Sequence, residues 1–462
     1  MANDPPTDRL RVLELSGGWG LGGTDQAIEI RAGLLPPAFF DVTAVGVWGG
    51  PRYDRLLSRG VRGINLSGNL ASLAAVLDET KPHVLHYTRA DRACGYSAEV
   101  QRVAREARVP VVVETNVFGR PAGFTELRPP DRTCHMSFAS MLRSATQSGD
   151  TMRTLFERGH RAVYLPVPTA AGYAPAGTAS REDARRALGI ADGELIACRV
   201  ARPDMRKWSV RLELALPRLF AALPELRFLF MAAPPQKLAA LERRFGRRVL
   251  GLSPESDLGA VARAYVASDL MIHSSGIGES FGLSVAEGMH HGLPVIVDST
   301  PEMDNAQVEV VDHERTGLVV ASSAGFVEAT TRLARDAELR RRLGEAARVT
   351  AGARFADTVI AREWQLLYVE ACVAAGVDVP AGLRTELARS PMRAVDDYAA
   401  FTAEYARRVA RVLGPPSALG ERAASAVIRS QDMLQHARTL GFRTVWRVVS
   451  SRLRSTGSLV RN

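Results

Sequence analysis

Two glutamates and a pair of basic residues carry the strongest chemical signals in this chain. Asp269 to Val297 reads D-L-M-I-H-S-S-G-I-G-E-S-F-G-L-S-V-A-E-G-M-H-H-G-L-P-V-I-V, which is the pattern of strand, glycine-bearing loop, helix, turn and strand. Glu279 falls in the loop at the C-terminal end of a strand, where open α/β sheets bind ligands. Ser280, Phe281, Gly282 and Leu283 then open a helix whose free N–H groups and positive dipole end suit a phosphate. Glu287 follows on that helix, and because helical side chains lean toward the N-terminus its carboxylate reaches the same pocket. A carboxylate only accepts hydrogen bonds, which suits paired sugar hydroxyls. One loop and one helix could thus hold a diphosphate, a ribose and a sugar together.

The basic pair lies in Val200–Ser209, V-A-R-P-D-M-R-K-W-S, again directly after a strand. Arg202 and Lys207 flank a proline-containing turn, so both can converge on one anion, the arginine as a bidentate fork and the lysine as a compact charge. Together they would neutralise a diphosphate and stabilise the charge that builds as it leaves. Of the 59 basic residues only Lys81, Lys207 and Lys237 are lysines, so a lysine at this point is unlikely to be there by composition alone. A third stretch, Ser16–Ala27 (S-G-G-W-G-L-G-G-T-D-Q-A), follows the first strand. Its glycines let backbone approach a ligand, but it lacks the Lys-Ser/Thr of a nucleotide-hydrolase loop. No acidic residue ends the next strand, as the dinucleotide fingerprint requires.

Three further features are weaker. Asn116–Arg120 (N-V-F-G-R) follows a later strand and reads as a candidate acceptor loop or an ordinary strand-to-helix turn. In H-Y-T-R, His86 is expected inside a strand as a core residue, with Thr88 or Arg89 at the strand tip. His290 and His291 lie too late in their helix to reach its N-terminus and are read as structural.

The elements that must position these residues are strands alternating with helices. Strands are expected at Arg11–Leu15, Val42–Val47, Val84–Tyr87, Val109–Glu114 and Ala162–Leu165. A second series follows at Leu195–Val200, Leu226–Met231, Arg248–Leu250, Leu270–Ile272, Pro294–Val297 and Gly317–Val320. Amphipathic stretches such as Leu70–Glu79, Ala98–Ala107, Val210–Ala222 and Val261–Ala267 lie between them, a pattern of parallel α/β sheets covered on both faces. The Gly-, Pro- and Ala-rich Ala170–Ser180 separates the two series as a linker. After Arg354 the pattern is helical.

Composition excludes several classes. Of 462 residues 46% are hydrophobic and 24% charged, ordinary globular usage that rules out a disordered chain or a coiled coil. Four cysteines, Cys94, Cys134, Cys198 and Cys372, lie far apart and are expected as reduced, buried thiols with no zinc set. The net charge of +9 comes from arginines dispersed among acidic neighbours, without the aromatic interleaving of nucleic-acid binders, so no nucleic-acid partner is expected. Met1–Asp8 lacks the features of a signal peptide, and no apolar run is long enough to span a bilayer. The expected location is the cytoplasm. Ala418–Ser455 is arginine-bearing with helical spacing, and could lie against the domains or peripherally on the anionic inner face of a membrane.

Taken together, E-x7-E, R-x4-K and the N-terminal glycine loop resemble the retaining glycosyltransferases of the GT-B fold, the large family four. The flanks R-V-L-G-L-S-P-E-S-D-L and H-E-R-T-G-L-V-V agree. The resemblance runs from about residue 9 to about residue 375, strongest in the second half. It implies two Rossmann-like doubly wound domains facing across a cleft: an acceptor domain at 1–175 and a nucleotide-sugar domain at 176–355. A crossover helix at 356–380, with Asp357–Ala375 as its candidate, would be followed by a helical basic extension at 381–462. It implies that Arg202 and Lys207 grip the donor diphosphate, that Glu287 binds the ribose and that Glu279 binds the transferred sugar. Gly22 and Gly23 would lie against the phosphates, with Leu252 and its neighbours facing the base. Ser280, Phe281, Gly282 and Leu283 would complete the donor site. Thr88, Arg89, Asn116 and Arg120 are the acceptor-side candidates. No metal or cofactor is implied beyond the nucleoside diphosphate sugar. Two positions depart from the family: H-Y-T-R at the fourth strand, and Pro166–Thr169 in place of Asn-Gly-Val-Asp. The expected reaction moves a sugar from a nucleoside diphosphate sugar to a hydroxyl acceptor, of envelope-lipid or natural-product type. A nucleotide-sugar epimerase or a non-catalytic nucleotide-sugar binding protein are the alternatives.

Overall fold

The computed structural model describes residues 9–20, 22–90, 95–121, 129–169, 180–254, 258–301, 303–387 and 395–413. The linker up to Ala179, the stretch Ala418–Ser455 and Cys94 lie outside the described residues. Cys134, Cys198 and Cys372 are buried free thiols.

Two parallel sheets organise the chain. The first has seven strands: β1 (Leu10–Ser16), β2 (Phe40–Gly46), β3 (Arg62–Asn65), β4 (Val84–Arg89), β5 (Val111–Asn116), β6 (Arg132–His135) and β7 (His160–Ala162), in the order β3-β2-β1-β4-β5-β6-β7. The second has β8 (Leu195–Val200), β9 (Leu226–Met231), β10 (Val249–Leu252), β11 (Leu270–His273), β13 (Val295–Asp298) and β15 (Gly317–Val320). Their order is β10-β9-β8-β11-β13-β15. Between β11 and β15 lies a two-stranded pair, β12 (Gly278–Glu279) with β14 (Asp304–Asn305). Strands such as β8 are buried at every position, which explains their unbroken apolar reading: helices cover both faces. In each sheet the strand order reverses once, between β1 and β4 and between β8 and β11, and a doubly wound sheet binds its ligand at that switch point. The glycine loop leaves β1, the Arg202–Lys207 turn leaves β8, and the Glu279 loop leaves β11.

The sequence expectations differ from the structure at several strands, among them β12 and β14, which were not expected, and β5, expected two residues earlier. β3 (R-G-I-N) and β6 (R-T-C-H) were not expected, because charged and polar residues break their apolar pattern. The strand expected at Ala162–Leu165 is instead His160–Ala162. The apolar run after it leaves the ladder to pack between the domains, where Tyr164 meets Phe281 and Phe355 at ring-centroid distances of 5.6 and 5.1 Å. Among the described residues no helix is long and apolar enough to cross a membrane.

The helix Asp357–Ala374 packs on the first domain. Its buried Ile360, Ala361, Trp364, Leu367, Tyr368, Ala371 and Cys372 recur at helical spacing and form one apolar face. Its start is tied to Thr169, whose N–H and hydroxyl donate to Asp357 at 2.8 and 2.5 Å. On the first domain it packs against the helix Gly23–Leu34, with Arg31 over the Trp364 ring at 4.5 Å.

Candidate functional site

The glycine loop is fixed from behind. Arg52 donates to the Gly20 carbonyl (2.9 Å), to the Glu29 carboxylate (2.9 Å) and to the Gln26 side-chain oxygen (3.0 Å). Gln26 in turn donates its amide to Glu287 Oε1 across the domain cleft (2.9 Å), and Tyr265 donates to Oε2 (3.0 Å). Burial pushes the Glu287 carboxyl up, although these two donors work against it. The loop itself lies directly on the second domain. A β-carbon on Gly23 would come within 3.2 Å of the Leu283 side chain, and one on Gly22 within 3.8 Å of Arg202 Nη1. Glycine therefore lets the start of the first domain's helix approach the start of the second domain's helix, Leu283–His290. Asp25 joins this point. Burial raises its carboxyl to about 6 despite the nearby Arg52 and Arg202.

Beneath the loop sits an ionic cluster. Lys207 Nζ donates to Glu279 Oε2 at 2.7 Å, and His273 Nε2 lies 3.0 Å from Oε1. A carboxylate accepts only, so His273 carries its proton on Nε2. Burial alone would raise the Glu279 carboxyl, but Lys207 and His273 outweigh it and hold it well below the usual carboxylate range. The Glu279 loop needs glycine at two points. Gly278 has φ +67°, and a β-carbon there would run into the Asp304 carbonyl, so only glycine lets β12 pair with β14. Gly282, at φ 96°, turns the chain into the Leu283–His290 helix. The first domain reaches the same spot: Arg143 pairs with Asp304, and Ser137 donates to the Ser280 carbonyl at 2.6 Å.

The sequence-derived residues divide accordingly. Gly22, Gly23, Arg202, Leu283 and Glu287 meet across the cleft, and Lys207 and Glu279 form a pair below them. Lys207 is thus bound to Glu279 rather than free beside Arg202, which is exposed. Ser280 and Gly282 offer backbone at the helix start, and Leu252 ends β10 half-buried. Phe281 is a correction: its side chain is buried among Tyr164 and Phe355, so only its backbone can meet a donor. The acceptor candidates also sort. Asn116 is turned onto its own loop, donating to the Arg120 carbonyl (2.6 Å) and accepting from the Arg120 N–H (3.2 Å). Arg89 is buried against Glu114 at 2.9 Å and donates to the Arg120 carbonyl. Both side chains hold the loop in shape instead of facing a ligand. Arg120 does lie close enough to Asp304 to act on its charge. Thr88 is buried, and its hydroxyl has no partner among the described residues.

His86 is a core residue, fully buried between Tyr368 (2.6 Å) and Thr115 (2.7 Å). His291 accepts no role in the pocket either: its Nδ1 lies 2.9 Å from the Glu287 carbonyl and its ring stacks on Tyr265. Residues of the site that were not found from the sequence include Asp25, Gln26, Arg52, Tyr265, His273 and Arg199. Arg199 is buried in β8 and donates to the carbonyls of Lys207 (2.6 Å) and Ser274 (3.2 Å), tying the two loops together. Burial pushes its guanidinium down to about 10. An arginine inside an otherwise apolar strand, and a histidine at the end of the strand before Glu279, were the available signals. Among the described residues no group of three or more histidine, cysteine or carboxylate side chains could hold a metal ion.

Comparison with known proteins agrees with this geometry. Residues 180–350 match the family described as glycosyl transferases group 1. The N-acetyl-alpha-D-glucosaminyl L-malate synthase of Bacillus anthracis is 33% identical over 128 residues, 27% of this chain and 31% of that one. The chain thus aligns with about a third of that relative's length. Among solved structures, Anabaena Alr3699/HepE in complex with UDP-glucose superposes with a TM-score of 0.63 at 16% identity, over 79% of this chain and 100% of that one. The sucrose-phosphate synthase of Thermosynechococcus elongatus superposes with a TM-score of 0.59 at 19% identity, over 79% of this chain and 100% of that one.

Proposed function

For a chain whose residues 180–350 match the group 1 glycosyltransferases, within two domains of the GT-B fold, we propose transfer of a sugar from a nucleoside diphosphate sugar to a hydroxyl acceptor with retention at the sugar carbon. The observation that carries this reading is the Lys207–Glu279–His273 cluster at the ends of β8 and β11, next to the helix start where Gly23 meets Leu283 and Gly22 meets Arg202. A cation, an ionised carboxylate and a free helix start meet there at a switch point. The Anabaena relative was solved with UDP-glucose, which supports a nucleoside diphosphate sugar as donor.

In this mechanism the diphosphate lies on the start of the Leu283–His290 helix and draws Lys207 and Arg202 onto its oxygens. Glu279, released by Lys207 but still held by His273, accepts from the sugar hydroxyls. The bond from the sugar carbon to the diphosphate oxygen breaks, and the positive charge that builds on the sugar is met by the departing diphosphate. The acceptor oxygen attacks from the same face and its proton passes to the diphosphate. Lys207 and Arg202 stabilise the leaving charge, so no metal is part of this reading.

A thermal-shift screen against UDP, GDP, ADP and dTDP and their sugars identifies the donor, and NMR of the product then gives its anomeric configuration. Transfer with retention, undiminished by a chelator, is the expected result. An inverted product overturns the stereochemistry, and epimerised donor in the absence of acceptor makes the chain an epimerase.

Asp25 gives this reading a pH signature. Its carboxyl is raised to about 6, so below that value it is neutral and leaves Arg202 free. Above it, the carboxylate competes with the diphosphate for Arg202. Donor KM is expected to fall a few-fold on going from about pH 7.5 to about pH 5.5, and Asp25→Asn is expected to be flat across that range. A wild-type KM that rises on acidification contradicts the assignment.

A further inference from the structure

The helix Val395–Leu413 belongs to no sheet and was not legible as part of the site, yet it touches both domains. Tyr398, Phe401 and Tyr405 recur at spacings of three and four residues and so share one face. On the first domain, Tyr398 accepts from the Ala162 N–H at 3.2 Å, and its ring packs on Phe138 and Phe156 at 4.9 and 5.0 Å. Phe401 packs on Phe138 at 4.8 Å and stacks on Tyr405 at 5.4 Å. On the second domain, Tyr405 donates its hydroxyl to the Asn305 carbonyl at 3.1 Å, and Arg408 donates to Asp312 at 2.7 Å.

Of the second-domain partners, Asn305 lies directly behind Glu279, and Asp312 follows the short helix Gln307–Val310 that leads on from it. Asn305 is the register partner of Glu279 in the β12–β14 pair, and the Ala306 N–H donates to the Glu279 carbonyl at 2.9 Å. Just beyond, Glu309 accepts from the backbone N–H groups of Phe138 and Ala139 of the first domain at 3.2 and 2.9 Å. The stretch 304–312 therefore backs Glu279 on one side and receives the first domain on the other. The Val395–Leu413 helix closes over that joint.

We propose that Tyr405 and Arg408 are positioning residues of the transfer site. Through the Asn305 carbonyl and the Asp312 carboxylate they fix the short strand that places Glu279, with the domains closed. The inference rests on the reading of Glu279 as the sugar-binding carboxylate. A hydrogen bond that sets the depth of a short strand matters because small misplacements of a reacting group cost large factors in rate. The diphosphate contact at Arg202 lies on another loop, and the Leu283 helix start, although it follows Glu279 along the chain, is seated separately against Gly23.

Tyr405→Phe removes the hydroxyl and keeps the ring that stacks on Phe401, and Arg408→Gln is a second variant at a part-exposed position. Both are expected to lower kcat about tenfold while the Kd for the nucleoside diphosphate alone, measured by calorimetry, stays within about twofold of wild type. A purely structural helix would shift melting temperature and leave that split absent, so kcat within about twofold of wild type in both variants overturns the proposal. Hydrogen exchange at the Ala306 amide provides an arm independent of the reaction. Its protection is expected to fall in Tyr405→Phe, and unchanged protection overturns the positioning role whatever the substrate is. If the wild-type protein transfers no sugar from any donor, the functional reading fails, and the exchange arm still decides the placement of Glu279.

Discussion

Lys207→Ala is expected to lower kcat/KM by about two to three orders of magnitude, with the fold intact. In the proposed mechanism Lys207 meets the charge that develops on the leaving diphosphate, and removing one preorganised partner of such a charge costs roughly 10²–10³-fold. The fold should survive because Glu279 keeps a second partner: His273 Nε2 stays 3.0 Å from Oε1 after Lys207 Nζ, at 2.7 Å from Oε2, is gone. Lys207→Arg is not expected to rescue, since a planar fork cannot take the place of a compact ammonium in this pocket. Lys207 and Glu279 also form one unit, so Lys207→Ala combined with Glu279→Gln is expected to lose far less than the product of the two single losses. Steady-state kinetics with the identified donor, alongside circular dichroism, provide the check. Activity of Lys207→Ala within about threefold of wild type would remove the residue from the mechanism.

That such a prediction can be made from the sequence at all follows from where the residues lie. Lys207 and Glu279 lie in the loops that follow buried strands, where a charged residue has few structural reasons to be, and Glu287 lies on the helix that the second loop opens. β8, β9 and β15 were read to the residue because burial on both faces leaves an unbroken apolar run. β3 and β6 escaped because R-G-I-N is an edge strand with its polar ends exposed, and R-T-C-H buries a threonine and a histidine where an apolar run would be read. Side-chain direction was the other limit. Phe281 lies within a ligand-facing motif, yet its ring is taken by the aromatic contacts between domains. Asn116 lies in a cleft-facing loop, yet its amide closes that loop. The partners of Gln26, His273 and Tyr405 come from sequence-distant elements or short loops whose geometry no local period encodes. What spacing reveals is the backbone frame. Which of its side chains turn inward depends on contacts far along the chain.

The same distinction sets the largest expected stability effect, at a buried ion pair that no local pattern announces. Glu14 of β1 is completely buried and is held bidentately by Arg31, at 2.8 and 2.5 Å. Tyr368 of the crossover helix donates to the same carboxylate at 2.7 Å. Since that hydroxyl proton is committed to Glu14, His86 must donate from Nδ1 to the Tyr368 oxygen and accept from Thr115 at Nε2. Burial, with Arg31 nearby, keeps the imidazole neutral by pushing it down to about 4. Burial alone would raise the Glu14 carboxyl, but the Arg31 guanidinium holds it well below the ordinary range. Arg31 also spreads over Trp364, so one guanidinium joins β1, the helix behind the glycine loop and the crossover helix. Arg31→Ala leaves an unpaired carboxylate in the core and is expected to cost about 3–5 kcal/mol. Arg31→Met with Glu14→Leu removes both charges and fills the space, and is expected to recover most of that loss. Sign and pH agree: Glu14 has its folded value depressed, so its contribution is present at neutral pH and is lost as acid carries the carboxyl down through that depressed range. Urea unfolding at neutral pH measures both variants. A loss below about 1 kcal/mol for Arg31→Ala would show that the pair is not what holds the crossover helix to the first domain.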